Sequence, residues 1–199
     1  LDLARVNDFT SLAILTHDDD GDLIVSWRHW YPRMSYEARS REGRIPISAW
    51  AREGWLTITD GDVTDYGMVE AEIVEIGKAM QVQSINFDQA FAHELTQRLQ
   101  DNHGMTLLRV PQTALELNTP TLDLERAIRS RKIKHDGNPL AAWMMTNAVK
   151  VTSRYNELSQ PAKPKLGRDK NIDAVASLVF ALKSVTKTES AVSGVAFFQ

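Results

Sequence analysis

The chain reads as an α/β protein whose mixed sheet is covered by helices. Three observations predict this. The first third alternates apolar and polar residues around an acidic glycine turn, as a hairpin does. The middle alternates short apolar runs with amphipathic helical stretches. A segment that is apolar nearly all round closes the pattern, which is how a buried helix reads. Antiparallel strands come first and parallel strands follow, as in a mixed sheet with helices on its faces.

Residues 1–4 form an apolar strand fragment interrupted by Asp2, and residues 5–8 a polar turn. Residues 9–16 fit a buried strand, and the run HDDDGD at 17–22 a turn. Residues 23–30 place Leu23, Val25 and Trp27 on one face of a second strand. Residues 31–54, rich in Arg and broken by Pro32 and Pro46, predict an excursion with short helices, and residues 55–59 a short strand. Tyr66, Val69, Ile73, Ile76 and Met80 make the stripe of a helix over 65–80, with Thr64 as its cap. A strand over 82–87 ends at Asp88, and a helix follows over 89–102. Residues 105–110 are the next strand. Thr119-Pro120 reads as a cap followed by a first-turn proline, opening a helix to about 131. Asn138-Pro139 repeats that grammar and opens a helix over 139–148. Residues 149–153 fit a strand, 160–170 a mobile basic loop, and 171–187 the buried last helix.

With 199 residues, one domain covering 1–199 is expected. The net charge of −3 means that any DNA contact must come from local patches, because the average field repels phosphate. The absence of cysteine excludes disulfides, thiolate zinc sites and cysteine nucleophiles. No window approaches a membrane span, so no membrane partner is expected. The chain opens without Met inside a strand pattern, and the expectation is a fragment of a longer protein.

Three aspartates stand where a solvated surface would not put them. Asp2 lies within an apolar fragment, Asp88 ends a strand, and Asp173 sits in the first turn of the most apolar helix. Taken singly, Asp88 reads as a turn residue and Asp173 as a carboxylate on a helix dipole. Asp2 is harder to explain so, because a mid-strand carboxylate is costly to bury. Gathered together, hard oxygen ligands select Mg²⁺ or Mn²⁺, and two such ions about 3.5–4 Å apart cleave phosphodiesters.

Five segments in order resemble the nuclease domain of tailed-phage terminase large subunits. They are LDLARVNDFTSLAILT, WAREGWLTITDGDVTDYGMV, SINFDQAFAHELTQRL, HDGNPLAAWMMTNAVKV and KNIDAVASLVFAL. Together they run from Leu1 to about Leu182. The resemblance implies a ribonuclease H-like fold and two-metal cleavage of double-stranded viral DNA during genome packaging. It makes Asp2, Asp88 and Asp173 the catalytic metal ligands, with Asp2 bridging the two ions. It also implies an ATPase motor domain upstream in the same full-length chain, which would carry the phosphate loop that this sequence lacks. Portal protein and small terminase subunit become expected partners, and the host cytoplasm the expected location.

Around the triad, Asp8 is a candidate outer ligand or a turn cap. His135 is a candidate for orienting phosphate or water, or for fixing the turn before Pro139. Lys163, Lys165, Arg168 and Lys170 lie beside Asp173 on a Pro/Gly loop and are the expected DNA contacts. A second basic run holds Arg126, Arg129, Arg131, Lys132 and Lys134. Two rival readings are a DNA-gripping, portal-docking module with little cleavage, and another ribonuclease H-like enzyme such as a transposase or resolvase.

Overall fold

A computed structural model describes the backbone of residues 1–4, 8–88, 93–166 and 170–192, and the side chains of the last helix as far as residue 185. The predicted hairpin is its spine. β1 (Thr10–His17) pairs antiparallel with β2 (Leu23–Pro32) along its whole length, from Thr10↔Trp30 to His17↔Leu23. The turn between them is held by Asp18, whose Oδ1 accepts from the Asp20 and Asp22 amides, while Gly21 takes a φ of 80°. β2 is long enough to take two parallel partners. Its end pairs β3 (Thr57–Thr59) and its start pairs β6 (Ile133–His135). Between β2 and β3 run two short helices, α1 (Arg33–Glu42) and α2 (Ile47–Arg52).

The N-terminal segment joins this sheet to the next. Asp2 and Ser11 exchange both backbone hydrogen bonds at 2.8 Å, an isolated bridge rather than the fuller strand the sequence predicts. On its other side the Leu1 amine donates to the Asn86 carbonyl at 2.7 Å. Asn86 lies in β4 (Ile85–Phe87), which pairs in parallel with β5 (Leu107–Arg109). The fold is therefore the mixed sheet expected, antiparallel at its spine and parallel on either side.

Helices cover both faces. On one, α3 (Tyr66–Ala79) and α4 (His93–His103) bury Val69, Ile73, Leu95 and Leu99 against Leu1, Leu3, Leu12, Trp30 and Ile85. On the other, α5 (Ala114–Arg129), α6 (Pro139–Asn147) and α7 (Asp173–Val192) pack on Phe9, Ala13, Val25, Trp27 and Tyr31. The alternation of these residues along the strands is what separates the two cores. The α7 residues Ala174, Leu178, Val179, Phe180 and Leu182 are all buried, as the apolar run predicts.

Four sequence expectations are corrected. Asp65 caps α3, not Thr64; its Oδ1 accepts from Gly67 N at 2.7 Å and Met68 N at 3.4 Å. α5 begins at Ala114 behind a Thr113 cap, and Pro120 lies inside it, buried. Proline there forfeits one helical hydrogen bond, but burial beside Leu117 and Leu124 outweighs the local preference for a start. β6 is a strand where none is expected. Finally, the basic loop starts as a strand: β8 (Ser159–Ala162) pairs antiparallel with β7 (Val149–Thr152). Asn138 caps α6 as expected, accepting from Leu140 N and Ala141 N at 3.0 Å. No helix among the described residues is long and apolar enough to cross a membrane.

Candidate metal centre

Leu1 and Leu3 face the α3/α4 core, so Asp2 between them faces the α7 side. Directly across the bridge is Ser11, and across from Ser11 is His29. The Ser11 hydroxyl and His29 Nδ1 are 2.8 Å apart, and both residues are buried. Burial, aided by the Arg28 charge, pulls His29 down to about 3, so the ring is neutral. A row of three polar side chains thus runs across three segments beneath the start of α7.

The start of α7 is pinned above this row. Trp27 Nε1 donates to the Ala174 carbonyl at 3.1 Å, and Asn147 Nδ2 to the Asn171 carbonyl at 3.2 Å. These bonds hold residues 171–174 in place. Asp173, 5% exposed, opens the helix. Its Oδ2 is buried and, among the described residues, receives no hydrogen bond. Burial, then the charges of Asp8 and Asp2, hold its carboxyl well above the usual range, against the opposing pull of Lys163.

Asp2 is pushed up to about 7. Burial is the main cause; the Leu1 ammonium opposes it, Asp8 and Asp88 add to it, and Lys163 opposes it again. Asp2 is therefore within electrostatic reach of both Asp88 and Asp173. Asp88 follows β4 and is half-buried; its Oδ2 accepts from Gln112 Nε2 at 2.6 Å. Asp8 accepts on both oxygens, from Lys163 Nζ at 2.7 Å and from Asn171 Nδ2. For Lys163, burial works against the charge, but the hydrogen bond to Asp8 and the charges of Asp8, Asp173 and Asp2 outweigh it, and its pKa rises.

So Asp2, Asp8, Asp88, Asp173 and Lys163 form one electrostatic group. The carboxylates feel one another without converging on a point: among the described residues, no three His, Asp or Glu side chains are grouped closely enough to hold an ion unaided. The donor set still fits a hard divalent cation. It is all oxygen, Asp2 and Asp173 disfavour ionisation as they stand, and it holds a buried oxygen that, among the described residues, has no donor.

The remaining expected residues divide. His135 is exposed, lies in β6 opposite Val25, and uses Nδ1 to accept from Gly137 N. Val25 is four residues along β2 from His29, about 13 Å at strand rise, so the structure does not bring His135 to the carboxylates. It supports the turn before α6, together with Asp136, which accepts from Trp27 N and Asn138 N. Lys165 is exposed and Lys170 half-buried, while Arg168 lies outside the described residues. In the other basic run, Arg126 pairs with Asp123, Arg129 with Glu125, and Lys134 with Asp18. Sequence reasoning did not single out Asn171 or the Lys163–Asp8 pair. The buried polar NID start of the last helix is the one signal that could have drawn attention to the asparagine.

The chain is similar in sequence and in structure to known proteins of one kind. The family profile "Terminase large subunit, endonuclease domain" matches residues 1–189. The large terminase subunit of Enterobacteria phage HK97 is 31% identical over 184 residues, covering 92% of this chain and 36% of that protein. Protein YmfN of Escherichia coli is 30% identical over 190 residues, covering 91% of this chain and 41% of that protein. The crystal structure of the HK97 bacteriophage large terminase superimposes with a TM-score of 0.81 at 27% identity, over 92% of this chain and 38% of that one. The chain thus spans about two fifths of the length of these proteins.

Proposed function

The chain belongs to the family of terminase large subunit endonuclease domains, and from that premise we propose that it hydrolyses phosphodiester bonds of double-stranded viral DNA with two divalent cations, Mg²⁺ or Mn²⁺, during genome packaging. The observation that carries this reading is the position of Asp2. Asp88 acts on its carboxyl and it acts in turn on Asp173, and Asp173 presents a buried oxygen that, among the described residues, has no donor. Asp2 would hold both ions, with Asp88 and Asp173 each completing one set of ligands.

Bound cations would supply an activated water and neutralise charge on the departing oxygen, giving 5′-phosphate and 3′-hydroxyl ends. The chain's own residues do the rest. The bridge to Ser11 fixes the Asp2 backbone, and Gln112 steadies Asp88. The Trp27 and Asn147 hydrogen bonds fix the approach to Asp173. Lys163 holds a positive charge beside the carboxylates, where a scissile phosphate would arrive; Lys165 and Lys170 would extend that basic approach along the duplex, and Arg168, between them in the sequence, is a further proposed DNA contact. An upstream ATPase domain, the portal and a small terminase subunit are the proposed partners, in the host cytoplasm.

The test is plasmid cleavage by the purified chain with Mg²⁺, Mn²⁺ or EDTA, beside Asp88→Asn. Metal-dependent nicking and linearisation that the variant loses is the expected result. Equal cleavage by a folded Asp88→Asn removes Asp88 from the site. No cleavage with either metal favours a module that grips DNA and docks on the portal.

A further inference from the structure

We propose that the side-chain carbonyl oxygen of Asn171 is a ligand of the metal centre, a neutral oxygen placed beside Asp8 and Asp173; the proposal rests on the nuclease reading above. Asn171 is 3% exposed. Its Nδ2 donates to Asp8 Oδ1. That bond fixes which end of the amide is which, because a carboxylate only accepts and would repel the carbonyl end. Oδ1 is thereby committed to another direction, where it is buried and, among the described residues, meets no donor. Buried amide oxygens are ordinarily satisfied, so this one calls for a partner.

Two residues further on, Asp173 Oδ2 is in the same condition. Among the described residues, two acceptor oxygens within three positions lack a donor, and a cation between them would satisfy both. The main chain here is not free to turn them elsewhere, since the Asn171 carbonyl accepts from Asn147 and the Ala174 carbonyl from Trp27. Lys163, whose charge acts on Asp173, donates to Asp8. Asparagine carbonyls are ordinary ligands for hard cations. Charge also favours a neutral ligand. If Asp2, Asp8, Asp88 and Asp173 are all ionised, four negative charges already balance two divalent ions. A further oxygen then fills coordination without excess charge.

The experiment is calorimetric titration of Mn²⁺ into the purified chain and into Asp2→Asn, Asn171→Leu and Asn171→Asp, with melting in EDTA to establish that each is folded. Asn171→Leu is expected to bind Mn²⁺ about tenfold more weakly or worse. Asn171→Asp loses the donor to Asp8 just as Asn171→Leu does, but keeps an oxygen in place, so it is expected to bind Mn²⁺ more tightly than Asn171→Leu. If the amide served only to donate to Asp8, Asn171→Asp, which also repels Asp8, would bind no more tightly than Asn171→Leu; that result overturns the proposal alone. Should Asn171→Leu fail to fold, Asn171→Ala takes its place in the comparison. Wild type that takes up no Mn²⁺, or Asp2→Asn that binds like wild type, would overturn the metal centre itself and this ligand with it.

Discussion

Asp2→Asn is expected to stabilise the metal-free protein. The Asp2 carboxyl titrates at about 7 in the fold against an ordinary 3.8, a difference of about 3 pH units. At 1.36 kcal/mol per unit, ionised Asp2 costs the fold up to ~4 kcal/mol. Asp2 as a residue is only partly buried, which brings the expected cost to ~2 kcal/mol. The sign follows from proton binding. Between pH 3.8 and 7 the folded state holds a proton that the unfolded chain has lost. Stability from this group is therefore fully present below pH 3.8 and drains away as pH rises to 7. Asparagine, nearly isosteric and uncharged, escapes that loss. Melting curves in EDTA at pH 4, 6 and 8 should show wild type and variant close together at pH 4. At pH 8 the variant should melt higher by roughly 4–8 °C, at 2–4 °C per kcal/mol for a domain of this size. Saturating Mn²⁺ should reverse the order, because only wild type gains the full binding energy. A gap that does not grow with pH, or a variant that melts lower at pH 8 in EDTA, would refute the picture of Asp2 as a buried carboxylate waiting for a cation.

Two more expectations can be checked with the same samples. Buried neutral His29 titrates near 3 against 6.5 when unfolded, so its contribution is present above pH 6.5 and is lost as pH falls. Urea midpoints should show wild type losing ~2 kcal/mol relative to His29→Gln between pH 7 and 5. Lys163→Gln removes the ammonium that shares Asp8 and acts on Asp2 and Asp173. Its ion pair is half-exposed, so melting in EDTA should fall by the equivalent of ~1 kcal/mol or less. Mn²⁺ titration should nevertheless tighten, since a competing cation is gone; weaker Mn²⁺ binding would mean that Lys163 instead positions Asp8 for the metal.

Local grammar made much of this fold readable. The hairpin followed from alternation and an Asp/Gly turn, and the start of α6 from Asn138-Pro139, because those signals act within a few residues. Thr119-Pro120 carries the same signal and means something else. There the packing of Pro120 beside Leu117 and Leu124 decides, and that packing is tertiary. β6 has three residues and exists because the start of β2 lies beside it. β8 contains Pro161, which discourages a strand reading, yet it is tolerated opposite Lys150 in a two-stranded ribbon. The site divides in the same way. Asp2 stood out because a mid-strand carboxylate violates a local rule. Asn171 obeys every local rule as a polar residue before a helix. Its contact with Asp8 joins the last helix to the first turn, and no window of sequence contains both.

The placement of Asp2 and Asp173 has a consequence for how the enzyme comes into being. Asp2 lies in the first segment and Asp173 at the start of the last described helix, so the site closes a loop spanning most of the chain. Such long closures are slow and complete late in folding. During synthesis the first carboxylate leaves the ribosome long before its partner. An incomplete or half-folded chain therefore presents only separate fragments of a site, and the assembled group of carboxylates arises together with the finished fold.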